Sequence, residues 1–403
     1  MGERLKTAST EGRVELVALA GVTAVFLAVR ALAATRVGFG DSEALYAAYA
    51  VHPQPAYLDH PGLVGEVAAL IGGGTAPSPE RAHLVTAVLA ALVPWLMALA
   101  CRASGASARR SLLAALVFAV VPEIAVGLFA LTPDLLLSLA WLGALALAAA
   151  GLAAAPGSAR ANAALAGAGL LAGTAAAAKV SGVLLLVSLA ATYASRAARP
   201  HARTAAPWAG LLAGAIVILP VAAFEARAGW PLLVHRLVDT QKDAGVSLRN
   251  LGALLGGQVA YVSPGVLVLV VMGARAAWRD WRDARGGAGA VATLLLASSA
   301  IPAAVLVPLS LWSRVAEPHW VAPAMLSLGP ALARSPVTLA RRLLLGSTAI
   351  AAVFTAAVYA WVLIPGSIAL MPGSYDARYD IANELYGWPE VLDAVHEVVA
   401  AQA

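Results

Sequence analysis

The sequence is poor in charge and contains a single cysteine. Only 12% of its 403 residues are Asp, Glu, Lys or Arg, about half of the roughly 25% that soluble domains carry. Because Cys101 has no partner in the chain, an intrachain disulfide and a Cys-based zinc site are both excluded. Hydrophobic residues make up 61% of the chain, which indicates that lipid rather than water surrounds most of it.

The motifs of several soluble enzyme classes are also missing. We find no Walker loop, no HExxH, no GxSxG and no DxD motif of the kind that holds a nucleotide sugar through a metal. His52 and His60 are too few to indicate a metal site. The net charge of +5 does not predict a nucleic-acid partner, because the basic residues lie mostly in short loops between apolar runs, where they act as orientation signals.

The apolar runs predict an all-α, polytopic transmembrane bundle of about eleven spans, since a helix needs about 20 apolar residues to cross a bilayer. Two of the runs are short and meet at Lys179, so they are either two spans or one re-entrant pair. The candidate spans are 14–34, 82–101, 111–131, 135–155, 162–178, 180–195, 206–224, 253–274, 288–312, 319–333 and 343–364.

Basic residues concentrate in alternate loops, which predicts that these loops and the N-terminus are cytoplasmic. An odd number of spans then places the C-terminus outside. The run 14–34 is interrupted by Arg30 and has no clean small-residue cleavage site, so we interpret it as a retained first span. The Ala/Arg-rich composition and the absence of eukaryotic sorting signals predict a bacterial inner membrane with a periplasmic outer side.

Two domains are expected: a transmembrane domain over residues 1–364, and a short outer segment or truncated soluble domain over 365–403. The first outer loop, 35–81, is long, and such segments tend to carry function. Within it the stretch 62–71 is apolar but far too short to span, which predicts a helix lying on the outer leaflet.

The densest polar cluster lies in this loop, over residues 40–62. Asp41 and Glu43 follow the first span closely, where partial desolvation raises the proton affinity of a carboxylate and suits it to act as a general base. Glu43 and Tyr46 are spaced to share one helical face. A solvated loop with ordinary helix capping by Asp41 or Ser42 is the alternative. The cluster also contains Tyr49, His52, Tyr57, Asp59 and His60.

Two further candidates lie at the outer ends of predicted spans. Asp134 ends a Thr-Pro-Asp turn, which turn and cap chemistry alone would explain, but it is predicted to face the same side as Asp41. Lys179 is costly in a membrane unless it snorkels or pairs. An anionic headgroup or phosphate is one partner expected for it, and a carboxylate such as Asp134 is the other.

The remaining outer candidates are partly basic. Glu317 and His319 lie in a Glu-Pro-His-Trp sequence, for which an interfacial aromatic anchor is the alternative to a site. Arg236, Lys242 and Arg249 form a mainly basic group on the medium outer loop. This group either binds a phosphate or lies among lipid headgroups.

Glu123 follows Pro122 and is predicted to lie near the middle of the third span. A carboxylate inside a membrane is a functional candidate by default. A structural role is slightly favoured, in which Glu123 is protonated or hydrogen-bonded to backbone that the proline has freed.

Together these motifs resemble the GT-C glycosyltransferases, specifically the branch of protein O-mannosyltransferases and bacterial aminoarabinose or undecaprenyl-phosphate-sugar transferases. In that branch an acidic pair followed by Ala-x-Tyr precedes a Tyr-x-Asp-His-Pro segment in the first outer loop. The resemblance covers roughly residues 14–365. The matching residues are Asp41, Glu43, Ala44, Tyr46, Tyr57, Asp59, His60, Pro61, Thr132, Pro133, Asp134, Lys179, Glu317, Pro318, His319 and Trp320.

The resemblance implies a cell-envelope glycosyltransferase that takes a sugar from a polyprenyl-phosphate donor and passes it, with inversion, to a hydroxyl of a protein or lipid acceptor. No metal or other cofactor is required for this step. Lys179 and the basic group Arg236, Lys242 and Arg249 would offset the charge of the leaving phosphate. The implied substrate-binding residues are Tyr46, Tyr57, Asp59, His60, Asp134, Glu317 and His319.

Two departures from the family pattern matter. Ser42 separates an acidic pair that is usually adjacent, so either Asp41, which we favour, or Glu43 fills the position of the base. Relatives also often continue into a soluble outer domain, whereas here only the segment 365–403 follows. A transporter or flippase for lipid-linked sugars is the rival hypothesis, although no inverted repeat supports it. A non-catalytic relative that only binds lipid is a third.

Overall fold

The structure is a computed structural model that describes residues 12–241, 244–313, 317–335, 341–364, 380 and 382–402. In these ranges the chain is helical, and the only extended pairing is an isolated bridge between Ala56 and Pro61. The predicted all-α fold class is therefore confirmed.

The helices of the described part are numbered here in chain order. They are α1 (Arg13–Ala34), α2 (Asp41–Ala48), α3 (Leu63–Gly72), α4 (Pro79–Ala103), α5 (Ala108–Ala119), α6 (Pro122–Ala125), α7 (Pro133–Ala153), α8 (Ala159–Ala178), α9 (Val183–Ala194), α10 (Arg199–Ala202), α11 (Ala206–Ala228), α12 (Pro231–Leu237), α13 (Leu248–Val262), α14 (Pro264–Asp283), α15 (Gly286–Trp312), α16 (Ala322–Leu326), α17 (Leu328–Arg334), α18 (Arg341–Leu363) and α19 (Trp388–Gln402). Short 3₁₀ segments are Tyr49–Val51, Gly127–Phe129, Val180–Gly182, Asp239–Gln241, Pro318–Val321 and Asn383–Leu385.

Seven helices in the described part are long and apolar enough to cross a membrane: α1, α4, α7, α8, α11, α15 and α18. Each corresponds to one predicted span. Two bent pairs raise the number to nine if each pair counts as one span: α5 with Pro122–Phe129, bent by 77°, and α13 with α14, bent by 100°. A multi-pass bundle is therefore supported, whereas the predicted count of eleven spans is not confirmed.

The four remaining predicted spans are short or broken, mostly at prolines. Proline lacks a backbone N–H and its ring clashes with the preceding turn, so 111–131 bends at Pro122 and 319–333 is divided into short segments from Pro318 onward. The predicted span 253–274 is divided between α13 and α14, which are bent by 100°, because the chain turns sharply at Ser263, which has φ 73°, before Pro264. The run 180–195 forms only the 12-residue α9 after its 3₁₀ turn.

Arg30, which interrupts the first span, stabilises the bend between α5 and α6. Its side chain is buried and donates hydrogen bonds to the carbonyls of Ile124 (3.0 Å) and Ala125 (2.8 Å). The Tyr359 hydroxyl donates to the same Ala125 carbonyl at 2.6 Å. The bend removes helical partners from these carbonyls, so Arg30 and Tyr359 replace hydrogen bonds that lipid cannot offer.

The centre of the bundle is α7, whose Trp141 is completely buried. Beside it, α8 and α11 approach each other through facing glycines. A Cβ atom on Gly169 would lie 2.1 Å from the carbonyl of Gly210, and one on Gly173 would lie 2.4 Å from the carbonyl oxygen of Gly214. Small residues allow such close backbone contact between membrane helices.

The first loop folds onto one end of this bundle. Buried Tyr46 and Tyr49, from the segment that begins with α2, pack with Val64 and Ala68 of α3 and with Leu131 before α7. The helix predicted over 62–71 is thus confirmed as α3. Loop residues that precede α2 are held by the C-terminal part of the chain, since Gly38 N–H donates to the Leu385 carbonyl at 2.7 Å.

Candidate active site

The centre of the candidate site is an ion pair between Lys179 and Asp134. The Lys179 Nζ atom lies 2.8 Å from both carboxylate oxygens of Asp134, and the two side chains are 11% and 17% exposed. Asp134 lies in the first turn of α7, where the free N–H groups of a helix favour a negative charge. The sequence predicted either a phosphate or a carboxylate as the partner of Lys179, and in the structure the partner is the carboxylate of Asp134.

A tight turn after α8 positions this lysine. Lys179 has an extended backbone conformation, and its N–H donates to the Ala175 carbonyl at 3.0 Å. The chain then folds back so closely that a Cβ atom on Gly182 would lie 2.2 Å from the Ala175 carbonyl. Only glycine fits there, which explains how two apolar runs can be joined at a charged residue.

His319 and Glu317 extend the ion pair toward solvent. The Nε2 atom of His319 lies 3.8 Å from Asp134 Oδ2, and its Nδ1 lies 3.2 Å from Glu317 Oε2. The hydrogen bond with His319 lowers the pKa of Glu317 below its ordinary value, although burial opposes this shift. The sequence Glu317 to Trp320 therefore contributes two polar side chains to the site and is not only an aromatic anchor.

A second ion pair joins the first loop to α12. Arg236 Nη2 lies 3.2 Å from Asp59 Oδ1, and Arg236 Nε donates to the Asp59 carbonyl at 3.2 Å. The neighbouring His235 Nε2 lies 3.5 Å from the same Oδ1 atom. One carboxylate thus brings together two segments that are far apart in the sequence.

His60 lies between the two ion pairs. It is buried, and its Nε2 lies 3.5 Å from Arg236 Nη2. Burial, followed by the positive charges of Lys179 and Arg236, lowers the pKa of His60 to about 3. We therefore expect His60 to be a neutral imidazole at physiological pH. It can accept a hydrogen bond from Arg236, but it has no positive charge with which to attract a phosphate.

Three tyrosines form the wall behind His60. Tyr46 packs edge-on against His60 with ring centroids 5.6 Å apart, and Tyr49 and Tyr57 are stacked at 3.5 Å. The Tyr57 hydroxyl donates to the carbonyls of Tyr49 (3.0 Å) or His52 (2.9 Å), which shapes the loop. Burial, with the nearby charges of Asp134 and Asp59, raises the pKa of Tyr46. Tyr46 therefore stays protonated and is a hydrogen-bond donor at neutral pH.

Glu43 is buried behind this wall with its oxygens engaged. Its Oε1 accepts a hydrogen bond from Leu131 N–H at 2.7 Å and lies 3.0 Å from His83 Nε2. Its Oε2 accepts from Gly40 N–H at 3.2 Å. Glu43 and Tyr46 are both buried, which agrees with the predicted shared helical face. Glu43 therefore links the first loop to α4 and to the start of α7.

Asp41 is exposed at the start of α2. Its described contacts are with Ser42 N–H and with Glu384 of the C-terminal segment. Burial and the charge of Asp41 raise the pKa of Glu384 above its ordinary value. Within the described residues, no hydrogen bond or ion pair joins Asp41 to Asp134 or Lys179.

The basic group predicted on the medium outer loop is only partly present at the site. Arg236 is there, whereas Arg249 is exposed in the first turn of α13 and forms no ion pair in the described part. Lys242 lies outside the described residues. Among the residues that the structure describes, no group of three or more His, Cys, Asp or Glu side chains is arranged to hold a metal ion.

Two contributors were missed by sequence reasoning, His83 and His235. His83 is a lone histidine in an apolar helix, and a buried histidine needs a polar partner. That requirement indicates a tertiary contact, but it does not identify Glu43, which lies 40 residues away in the chain. His235 directly precedes Arg236, and its position in the sequence carries no signal that would pair it with Asp59.

Comparison with known proteins agrees with this architecture. Residues 68–224 match the family model described as dolichyl-phosphate-mannose-protein mannosyltransferase. No curated protein sequence matches the chain. Among solved structures, the chain is similar to ArnT from Cupriavidus metallidurans bound to undecaprenyl phosphate, with 17% identity, a TM-score of 0.59, and coverage of 91% of this chain and 67% of that one.

It is also similar to the oligosaccharyltransferase AglB from Archaeoglobus fulgidus in complex with an inhibitory peptide and a dolichol-phosphate. That match has 13% identity, a TM-score of 0.56, and covers 94% of this chain and 60% of that one. The protein O-mannosyltransferase Pmt1-Pmt2 complex of S. cerevisiae, bound to the sugar donor, matches with 17% identity and a TM-score of 0.43 over 66% of this chain and 39% of that one. The chain thus spans less than two thirds of the length of two of these three.

The solved structures and the partial family match agree on one architecture. The chain is a multi-pass membrane protein with the fold of the GT-C glycosyltransferase superfamily, as its motifs predicted.

Proposed function

We propose that the protein transfers a sugar from a polyprenyl-phosphate donor to an acceptor hydroxyl at the outer face of a bacterial inner membrane, with inversion at the anomeric carbon. The observation that carries this proposal is the buried Lys179–Asp134 pair at the bundle end where the first-loop motif folds. Undecaprenyl phosphate and dolichol-phosphate, named for the ArnT and AglB structures, support a lipid of this class as the donor.

Lys179 is suited to receive the phosphate. An ammonium group has three N–H donors, and the oxygens of Asp134 occupy two of them. The third N–H has no acceptor among the described residues, so it is free to donate to a phosphate oxygen of the donor. A fixed cation at the leaving group stabilises the charge that develops in the transition state. Arg236, with five N–H donors, is the second phosphate-binding residue that we propose, and Lys242 and Arg249 are further candidates.

The reaction itself requires one base. A carboxylate takes the proton of the acceptor hydroxyl, and the oxygen forms a bond to the anomeric carbon. The bond between that carbon and the phosphate oxygen breaks, and the phosphate leaves with the electron pair. Attack from the face opposite the phosphate inverts the configuration. We place the substrates in the region lined by Tyr46, Tyr57, Asp59, His60, Glu317 and His319. Asp134 orients either the acceptor or Lys179.

Of the two carboxylates that follow the first span, we assign the base to Asp41. The oxygens of Glu43 accept two backbone hydrogen bonds and contact His83, so they are not free to face an acceptor hydroxyl. Asp41 is exposed at the start of a helix, so a substrate can reach it. Glu43 instead holds α2, and with it Asp41, against the bundle.

A transfer assay tests the proposal. The purified protein is incubated in detergent with radiolabelled polyprenyl-phosphate sugars and a membrane extract, and transfer of label is compared among wild type, Asp41→Asn, Glu43→Gln and Lys179→Met. We expect transfer by wild type, and its loss in Asp41→Asn and Lys179→Met. If wild type transfers no label from any donor, the proposal is wrong, and translocation of the lipid in vesicles becomes the activity to test.

A further inference from the structure

Glu123 is a partly buried carboxylate that the proposed reaction does not use. It is the second residue of α6, directly after the bend at Pro122. Its Oε2 atom is shielded from solvent and has no hydrogen-bond partner in the described structure. A buried polar atom without a partner is costly, so a site that retains one is expected to use it.

The surroundings of Glu123 belong to the candidate site. His319, Asp134, Lys179 and Glu317 all lie within electrostatic range of its carboxyl group. Tyr261 of α13 interacts with it as well. Glu123 is therefore within electrostatic range of the ion pair of the site. Among the described residues, neither Lys179 nor His319 donates a hydrogen bond to Oε2.

Gly127 adjoins this carboxylate. It is exposed, and a Cβ atom built on it would meet only Glu123, at 3.6 Å from Oε2 and 3.7 Å from Cδ. Any longer side chain at position 127 would therefore occupy the space over the carboxylate. The glycine has no positive φ, so its backbone conformation does not require glycine.

We propose that Glu123 is a sugar-binding residue whose carboxylate accepts hydrogen bonds from hydroxyl groups of the transferred sugar. This inference rests on the proposed function. A polyprenyl-phosphate donor has three parts, and at neutral pH only the sugar offers O–H donors. The phosphate carries acceptors and a negative charge, so it binds at Lys179 and not at a carboxylate. Glu123 therefore distinguishes a sugar-bearing lipid from the sugar-free lipid phosphate.

Equilibrium binding of two kinds of lipid tests the assignment. Undecaprenyl-phosphate mannose, glucose, galactose and arabinose, and undecaprenyl phosphate alone, are titrated into wild type and into Glu123→Leu, Gly127→Leu and Gly127→Ala. We expect wild type to prefer at least one sugar-bearing lipid. Glu123→Leu loses about ten-fold or more of that preference, while its affinity for undecaprenyl phosphate changes by less than about two-fold.

Gly127→Leu is the second variant, because it leaves the carboxylate in place and fills the space above it. Gly127→Leu should also lose the preference for sugar-bearing lipid. Gly127→Ala should largely keep that preference, because its Cβ atom makes only an ordinary van der Waals contact with Glu123. If Glu123 is merely structural, Glu123→Leu weakens the binding of sugar-bearing lipids and of undecaprenyl phosphate equally, and the inference is overturned. A preference that survives in Glu123→Leu and Gly127→Leu also overturns it, with the proposed function intact. If wild type binds no sugar-bearing lipid more tightly than undecaprenyl phosphate, both fail.

Discussion

The Nε2 atom of His83 lies 3.0 Å from Oε1 of Glu43, inside the end of the bundle where the first loop is attached. The same oxygen accepts the N–H of Leu131. One buried carboxylate therefore ties together α2, α4 and the residues that lead into α7. A residue that the sequence motif marks as a candidate base is, in the structure, a fixed part of the scaffold.

Removal of Glu43 is expected to reduce stability, whereas removal of Asp41 is not. Glu43→Ala leaves His83 and the Leu131 N–H buried without this partner, and each such group costs about 1–3 kcal/mol. Asp41 is exposed, so Asp41→Ala should stay within about 0.5 kcal/mol of wild type. Thermal unfolding in detergent, followed by tryptophan fluorescence, measures both. An inactive Glu43→Ala variant with unchanged stability would contradict the scaffold role and make Glu43 the base.

The Lys179–Asp134 pair predicts a different pattern. Lys179→Met leaves a buried carboxylate without its cation and should destabilise the protein by about 3–5 kcal/mol. The double variant Lys179→Met with Asp134→Leu removes both charges, so most of the stability should return, while transfer activity stays absent. Unfolding and transfer assays on the two single variants and the double variant form a mutant cycle. A double variant as unstable as Lys179→Met would show that the two charges do not act as a pair.

The sequence was sufficient for the long spans and for the residues of the two ion pairs. Runs of about 20 apolar residues leave little choice but a membrane helix, and the motif residues Asp59, Asp134 and Lys179 indeed meet at one end. The breaks at Pro122 and Ser263 were missed because apolar composition does not report where a helix bends. The partner of Glu43 was missed because hydropathy does not record contacts between residues far apart in the chain.

Buried His60 predicts a dependence of stability on pH. The unfolded chain takes up a proton on this histidine below about pH 6.5, whereas the folded protein does so only near its lowered pKa of about 3. The unfolded state therefore binds more protons between these values, so stability falls as pH is lowered from about 6.5 to about 3, by at most about 1.4 kcal/mol per pH unit.

His60→Asn should flatten this slope between pH 6.5 and pH 5, and His52→Asn, at an exposed histidine of the same loop, is the matched control. Thermal midpoints of the three proteins across this range provide the measurement. A slope in His60→Asn as steep as that of wild type would mean that other groups cause it.

The facing glycines of α8 and α11 predict sharp intolerance of a single methyl group. A Cβ atom on Gly169 would meet the backbone of Gly210 at 2.1 Å, and backbone cannot move aside as a flexible side chain can. Gly169→Ala should destabilise the bundle by about 2 kcal/mol or more. Gly21→Ala in α1, where nothing lies within 4 Å, should be neutral or slightly stabilising, since alanine favours a helix. Equal midpoints for the two variants would mean that the helices separate readily.

The sidedness of the site can be tested through introduced cysteines, because the native Cys101 is buried and contributes little background labelling. Thr75 is exposed in the first loop and Ala155 is exposed between α7 and α8, and the charge pattern places them on opposite sides. In intact spheroplasts, a membrane-impermeant maleimide should label Thr75→Cys and not Ala155→Cys, and permeabilisation should expose both. The reverse pattern would place Asp134 and Lys179 at the cytoplasmic face. The donor would then have to be drawn from the inner leaflet, and an acceptor outside the cell membrane could not reach the site.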